Sequence, residues 1–147
     1  MAAIEFAIFA TVFLMIVAAT ADVGRLLFTQ SQLDAAVGAG AASAQRPNAT
    51  AASISAVVDN ANGTGWASST VVVNNNDSVA TDCYCPTGTP GNWSWGSAVT
   101  CGSACNGGGV AGQFVTIAAS TTISPLFPAF GFVQNGTINS YALVETQ

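Results

Sequence analysis

An α+β protein is the fold class this sequence predicts: one very long amino-terminal helix carrying a small antiparallel β domain. Three observations point that way. From Met1 to Ala21 the chain is apolar apart from Glu5, Thr11 and Thr20, and no proline precedes Pro47. Beyond Arg46 the composition shifts to Asn, Gly, Ser and Thr, with short β-branched runs between turn-forming residues. The four cysteines all lie in this second part. A chain of 147 residues has room for the helix and one core, giving a division into residues 1–46 and 47–147.

The helix is expected from about Ala2 to Ser43. At ~1.5 Å rise per residue it is roughly 60 Å long, about twice the hydrocarbon thickness of a bilayer. One half can therefore sit in a membrane while the other stands clear. Proline costs ~3 kcal/mol inside a helix and glycine about 1. Gly24 is the only such weak point before Gly38, so a continuous rod is expected, with no melted segment near residues 14 to 23. The Ala35–Ala42 run, interrupted by Gly38 and Gly40, is poor helix by propensity. Its small side chains suit close approach of neighbouring helices, and a frayed end is the alternative.

Arg46-Pro47-Asn48 ends the helix, because the residue before proline is pushed out of the α region. Asn48 or Thr50 can cap a second helix, roughly Ala49 to Asn60, with Ile54, Val57 and Val58 turned inward. Ser68 to Val73 reads as a strand, Asn74 to Asp77 as its turn, and Val79 to Cys85 as the returning partner. Pro86 to Ser97 is a Gly/Pro/Thr loop, and Cys101 to Gly112 an irregular glycine-rich one. Phe114 to Thr122 and Thr137 to Val144 read as two further strands, joined by the apolar Pro125–Gly131 loop. The sheet is expected against the upper half of the long helix.

Charged residues make up only 6% of the chain against 50% hydrophobic. A soluble monomer of that make-up risks association, so a partner surface is expected, and copies of the same chain are the simplest partner. The net charge is −5, and the only cations among the side chains are Arg25 and Arg46, which argues against binding a phosphate backbone. With no histidine, imidazole bases, triads and metal ligands are excluded. Asp59, Asp77, Asp82 and Glu145 are scattered and no nucleophile has an evident base, so an enzyme is not expected, nor any cofactor.

Cys83, Cys85, Cys101 and Cys105 read as two disulfides formed in an oxidising compartment. A four-thiolate zinc site is the competing reading, but Cys-x-Cys is too close for the common zinc spacing. Three pairings are open; a nested one, Cys83 with Cys105 and Cys85 with Cys101, is the expectation. Trp93 and Trp95, two apart inside the cysteine loop, either plug a core or intersubunit contact or form a surface contact at an exposed tip. Phe6, Phe9 and Phe13 share one helix face, which is ordinary lipid-facing or core packing rather than an aromatic conduction path.

Glu5 is the most informative residue. A carboxylate in an apolar segment costs a few kcal/mol and marks a functional site by default. It can snorkel to the interface and gain from the helix dipole. It can also pair with the terminal ammonium of Met1 on an adjacent copy, each neutralising a charge otherwise stranded in a dry interior. That pairing would set the axial register between subunits. A secretory signal peptide fits poorly, because the apolar run opens with an acid where a basic end is required. The missing Lys/Arg are accounted for by a basic leader already removed, an expectation in line with charge rules for membrane orientation.

Met1-Ala2-Ala3-Ile4-Glu5-Phe6, with Glu fifth and an apolar helix following, resembles a mature type IV pilin. More narrowly, Ala3-Ile4-Glu5-Phe6-Ala7, Asp22-Val23-Gly24-Arg25-Leu26-Leu27 and Leu33-Asp34-Ala35-Ala36 look like the TadE-like pilins of tight-adherence (Tad) systems. The Cys-x-Cys and Cys-x-x-x-Cys pairs, Ser124-Pro125-Leu126-Phe127-Pro128 and a closing strand from Gly136 to Glu145 are similar to the far end of that family. TadE-like helices usually carry a proline soon after Glu-Phe, where this chain has Thr11. The resemblance implies a processed subunit held in the inner membrane and polymerised into an extracellular pilus for adhesion. Its implied partners are other copies of itself, a prepilin peptidase and an assembly ATPase. Met1 and Glu5 would then set register, and Phe6, Phe9, Phe13, Ile16, Leu27, Gly38 and Gly40 would pack the filament core. The competing function is a single-pass, membrane-anchored binding module that uses its tryptophans and does not need Glu5.

Overall fold

The computed structural model describes residues 2–61, 82–128, 131, 133 and 136–146. Helix α1 runs unbroken from Ala2 to Ala44 and α2 from Ala51 to Ala61. Four strands follow among the described residues: β1 Thr87–Thr89, β2 Asn92–Ser94, β3 Gln113–Ile123 and β4 Gly136–Thr146. They form two separate two-stranded antiparallel sheets, β1 with β2 and β3 with β4. The strand and turn expected over Ser68 to Asp77 lie outside the described residues. Of Val79 to Cys85 only residues 82–85 fall within them; there Cys83 makes an isolated bridge to Val99 and Tyr84 one to Gly112.

The absence of proline lets α1 continue past Asp22 and Gly24, as expected. Two of its polar interruptions are satisfied internally: Thr11 Oγ1 donates to the Ile8 carbonyl at 2.8 Å and Thr20 Oγ1 to that of Val17 at 2.9 Å. A hydroxyl bonded back to its own helix sits in apolar surroundings at little cost. The rod stops in a tight turn in which Arg46 N–H donates to the Ser43 carbonyl and Ala49 N–H to that of Arg46. Asn48 takes the left-handed conformation at φ 60°. Thr50, not Asn48, caps α2. Ser53 N–H donates to Thr50 Oγ1 at 3.2 Å while Thr50 N–H donates to Ser53 Oγ at 2.9 Å, a reciprocal box closed by serine in place of glutamate.

The core lies between the upper half of α1, α2 and one face of the β3–β4 sheet. Strand β3 alternates strictly, with Val115, Ile117, Ala119 and Thr121 buried, which is the period-two signature of a sheet covered on that face. Register pairs Val115 with Val144, Ile117 with Ala142 and Ala119 with Ser140, so like faces meet across the ladder. Leu33, Ala36, Val37 and Ala44 of α1 join Ile54 and Val58 of α2 over these residues. The cysteine-rich segment covers the opposite face, where Trp93, Trp95 and Gly91 line a cleft with Thr116, Ala118 and Tyr141. The body thus has three layers: helices, sheet and a stapled outer segment.

Two expectations are corrected here. Pro86 to Ser97 is not merely a loop: Pro90-Gly91 turns the β1–β2 hairpin, with Gly91 at φ 84°. The Tyr141 ring lies so close to Gly91 that an added Cβ would come within 2.9 Å of it. The disulfides are not nested. Cys83 joins Cys101 and Cys85 joins Cys105, with Cα separations of 5.1 and 5.7 Å. Backbone pairing explains the choice. Cys83 lies opposite Val99, making Cys101 its diagonal neighbour in an antiparallel pair. Tyr84 pairs with Gly112 and Ala104 with Val110, so Cys85 and Cys105 flank the same short segment.

Candidate functional site: the bare half of α1 and its rim

Below Ala18, α1 is left largely uncovered by the described residues of its own chain. Phe6 is 75% exposed and Phe9 74%, and Ile8, Val12, Phe13, Leu14, Met15, Ile16 and Val17 are exposed with them. Apolar side chains surround the helix rather than forming a stripe, which is the pattern of a helix buried on all sides by something else. By length and composition α1 is long and apolar enough to cross a membrane. Glu5 lies in its first turn and is exposed, and Met1 lies outside the described residues. Leu27 and Gly38, higher on the rod, are exposed as well.

Gly40 is not available to a neighbouring helix. It is buried inside the domain, where a methyl would come within 2.5 Å of Val58 Cγ2 and 3.5 Å of Ile117 Cδ1. Its missing side chain lets α2 and β3 close on α1, an intramolecular use in place of the intersubunit one expected. Much of the Ala35–Ala42 run divides the same way, with Ala36 and Val37 buried and Ala35, Gly38 and Ala42 facing out.

The tryptophans do not form an exposed platform. Trp95 is buried and meets Tyr84 edge to face, ring centroids 6.0 Å apart at 71°. Trp93 is half-buried, and its Nε1 is shielded with no hydrogen-bond partner among the described residues. A ligand entering the neighbouring cleft does not reach that N–H, because the atom is closed to solvent. Trp95 thus packs within the outer segment, and Trp93 lines the cleft beside it.

Asp22 marks where the bare rod meets the domain, a role sequence reading did not find. It is 3% exposed, and its carboxylate accepts hydrogen bonds from Leu126 N–H at 2.8 Å and Phe127 N–H at 3.2 Å. Ala18, one turn below, is buried as well, whereas Val17 is exposed. A second tether lies higher: Ser140 Oγ donates to Asp34 Oδ1 at 2.6 Å, and Gln30 Nε2 approaches the same carboxylate at 3.2 Å. Between the tethers a cleft of about 450 Å³ is lined by Asp22, Arg25, Phe28, Thr29 and the end of β3. Among the described residues no cluster of carboxylates and cysteines is arranged to hold a metal ion.

These features define a protein carried on one apolar helix, its α+β body clamped to the upper half of the rod and its lower half bare. The helix is similar to that of TadE-like proteins, whose family model matches residues 1–42. The match with an apolar amino-terminal helix fits a membrane-anchored or pilus-associated protein of the Tad type. No curated protein and no solved structure matches the chain.

Proposed function

We propose that this chain is a structural subunit of a Tad-type pilus that polymerises through the bare half of α1 into an extracellular fibre serving adhesion. The observation that carries the reading is that the TadE-like match at residues 1–42 takes in the longest run of exposed apolar side chains among the described residues, Phe6 to Val17. Before assembly the rod is held in lipid as an inner-membrane, single-pass protein. During assembly, contact with other rods replaces contact with lipid. At about 25 cal/mol per Å² of apolar surface, the rod rather than the domain supplies most of the cohesion. Glu5 then meets the terminal ammonium of Met1 on a neighbouring copy and fixes the stagger between them. A peptidase that processes the amino terminus and an ATP-driven assembly machine are the partners this requires, and the chain has no catalytic role of its own.

The test is Glu5→Leu in the native host, with membrane fractionation and electron microscopy of sheared surface material. The variant is expected to insert into the membrane as the parent does and to yield no filaments. Filaments from the variant at parental levels would sink the register role of Glu5. A parent that stays wholly in the membrane fraction under conditions of pilus expression would sink the polymer itself.

A further inference from the structure

We propose that the Ser124–Pro128 loop is a membrane seat: its Leu126 and Phe127 side chains enter the outer headgroup region and set the height of the domain above the bilayer. This rests on the membrane-resident stage of the function proposed above and adds a contact that the helix alone does not supply. Four observations converge on it. First, β3 runs down α1 from Ile117 beside Gly40 to Thr121–Ile123 beside Asp22 and Arg25, so among the described residues the segment that follows lies at the lower end of the body. Second, the loop is fixed there, because the buried Asp22 carboxylate holds the Leu126 and Phe127 N–H groups.

Third, the side chains of those same residues are 55% and 41% exposed although apolar. Fixing the backbone through its N–H groups holds these partly open side chains at the level where the bare rod begins. Fourth, the dimensions agree. From Ala2 to Ala21 the helix rises ~30 Å at ~1.5 Å per residue, the thickness of the hydrocarbon layer. A rod that spans the layer therefore brings Asp22 and its loop to the far interface. Arg25, one of the two side-chain cations in the chain, is exposed less than one turn further on, at phosphate depth. Apolar side chains below a cation form the gradient that an interfacial contact needs.

The experiment uses the full chain reconstituted in vesicles of phosphatidylethanolamine and phosphatidylglycerol. Benzoylphenylalanine is placed singly at positions 13, 126, 127 and 110, the last an exposed residue in the outer segment. Irradiation is expected to give phospholipid adducts at 13, 126 and 127 and none at 110. Adducts at 13 with none at 126 or 127 overturn the seat while leaving the membrane rod intact. Adducts at 126 and 127 to a second copy of the chain, in place of lipid, overturn it in favour of a contact between subunits. Absence of adducts at all positions, position 13 included, overturns the membrane-resident stage as well. The unmodified chain gives a check free of substitution: a doxyl lipid in nanodiscs of the same composition should broaden the NMR signals of Leu126 and Phe127 and spare those of Val110. Equal signals at all three would also overturn the seat.

Discussion

At the scale of single residues, Asp22 carries the most consequence for the join between rod and body. A buried carboxylate bonded to two backbone N–H groups makes charge-assisted contacts, and hydrogen bonds to charged groups contribute about 1.5–3 kcal/mol each. Asp22→Ala strands both donors and is expected to destabilise the folded chain by about 2–4 kcal/mol in urea unfolding in detergent. Asp22→Asn presents one oxygen and one amide donor to two donors, so it restores less than half of the loss. The glycines separate in the same assay. Gly38→Ala meets open space and is expected to stabilise the helix by about 1 kcal/mol. Gly40→Ala drives a methyl against Val58 and is expected to cost about 1–3 kcal/mol in overpacking. Neither glycine's surroundings were legible from the Ala/Gly run, since propensity treats the two alike. Asp22 was equally opaque: its partners are main-chain groups 104 and 105 residues away, and no side-chain identity announces them.

Among elements, what could be read was what obeys a local rule. The unbroken α1 follows from the absence of proline, and β3 and β4 from β-branched runs bounded by turn residues. Ile54 and Val58 are buried in α2 at helical spacing, as the periodicity requires, with Val57 half-buried. The β1–β2 hairpin was hidden because its strands are short and polar, Thr87-Gly88-Thr89 and Asn92-Trp93-Ser94, with no alternation to detect. Disulfide pairing was hidden because it depends on which bridges Cys83 and Tyr84 make, a tertiary property. The stapled segment is one layer out from the core, and neither disulfide touches the helix-to-sheet packing. Reduction is therefore expected to lower amide protection across 83–112 while residues 115–121 and 138–144 keep theirs, measured by hydrogen exchange with and without reductant. A bridge closing a loop of this size restrains the unfolded chain by about 3 kcal/mol, so a fall in protection spreading through β3 and β4 would show the layers to be coupled.

For the whole molecule, the core among the described residues draws on α1 from Leu33 upward, with Asp22 and Ala18 buried lower on the rod. Deleting residues 2–17 therefore removes the longest exposed apolar stretch of the rod and leaves the described contacts of the body in place. The truncated chain is expected to be soluble without detergent, monomeric by analytical ultracentrifugation and cooperative in thermal unfolding, since the large apolar patch that drives association is gone. Aggregation of this form would mean that the body exposes a second sticky face of its own.

Two carboxylates on one rod, Asp22 gripping the lower loop and Asp34 gripping Ser140 of β4, leave the body no freedom to swivel about the helix axis. Successive residues of an α-helix differ in azimuth by about 100°. Rolling the buried rod by a single residue would thus swing the whole outer body by the same angle. What a fibre of such subunits displays to its surroundings is then decided deep inside, by which side of each rod its neighbours choose to touch.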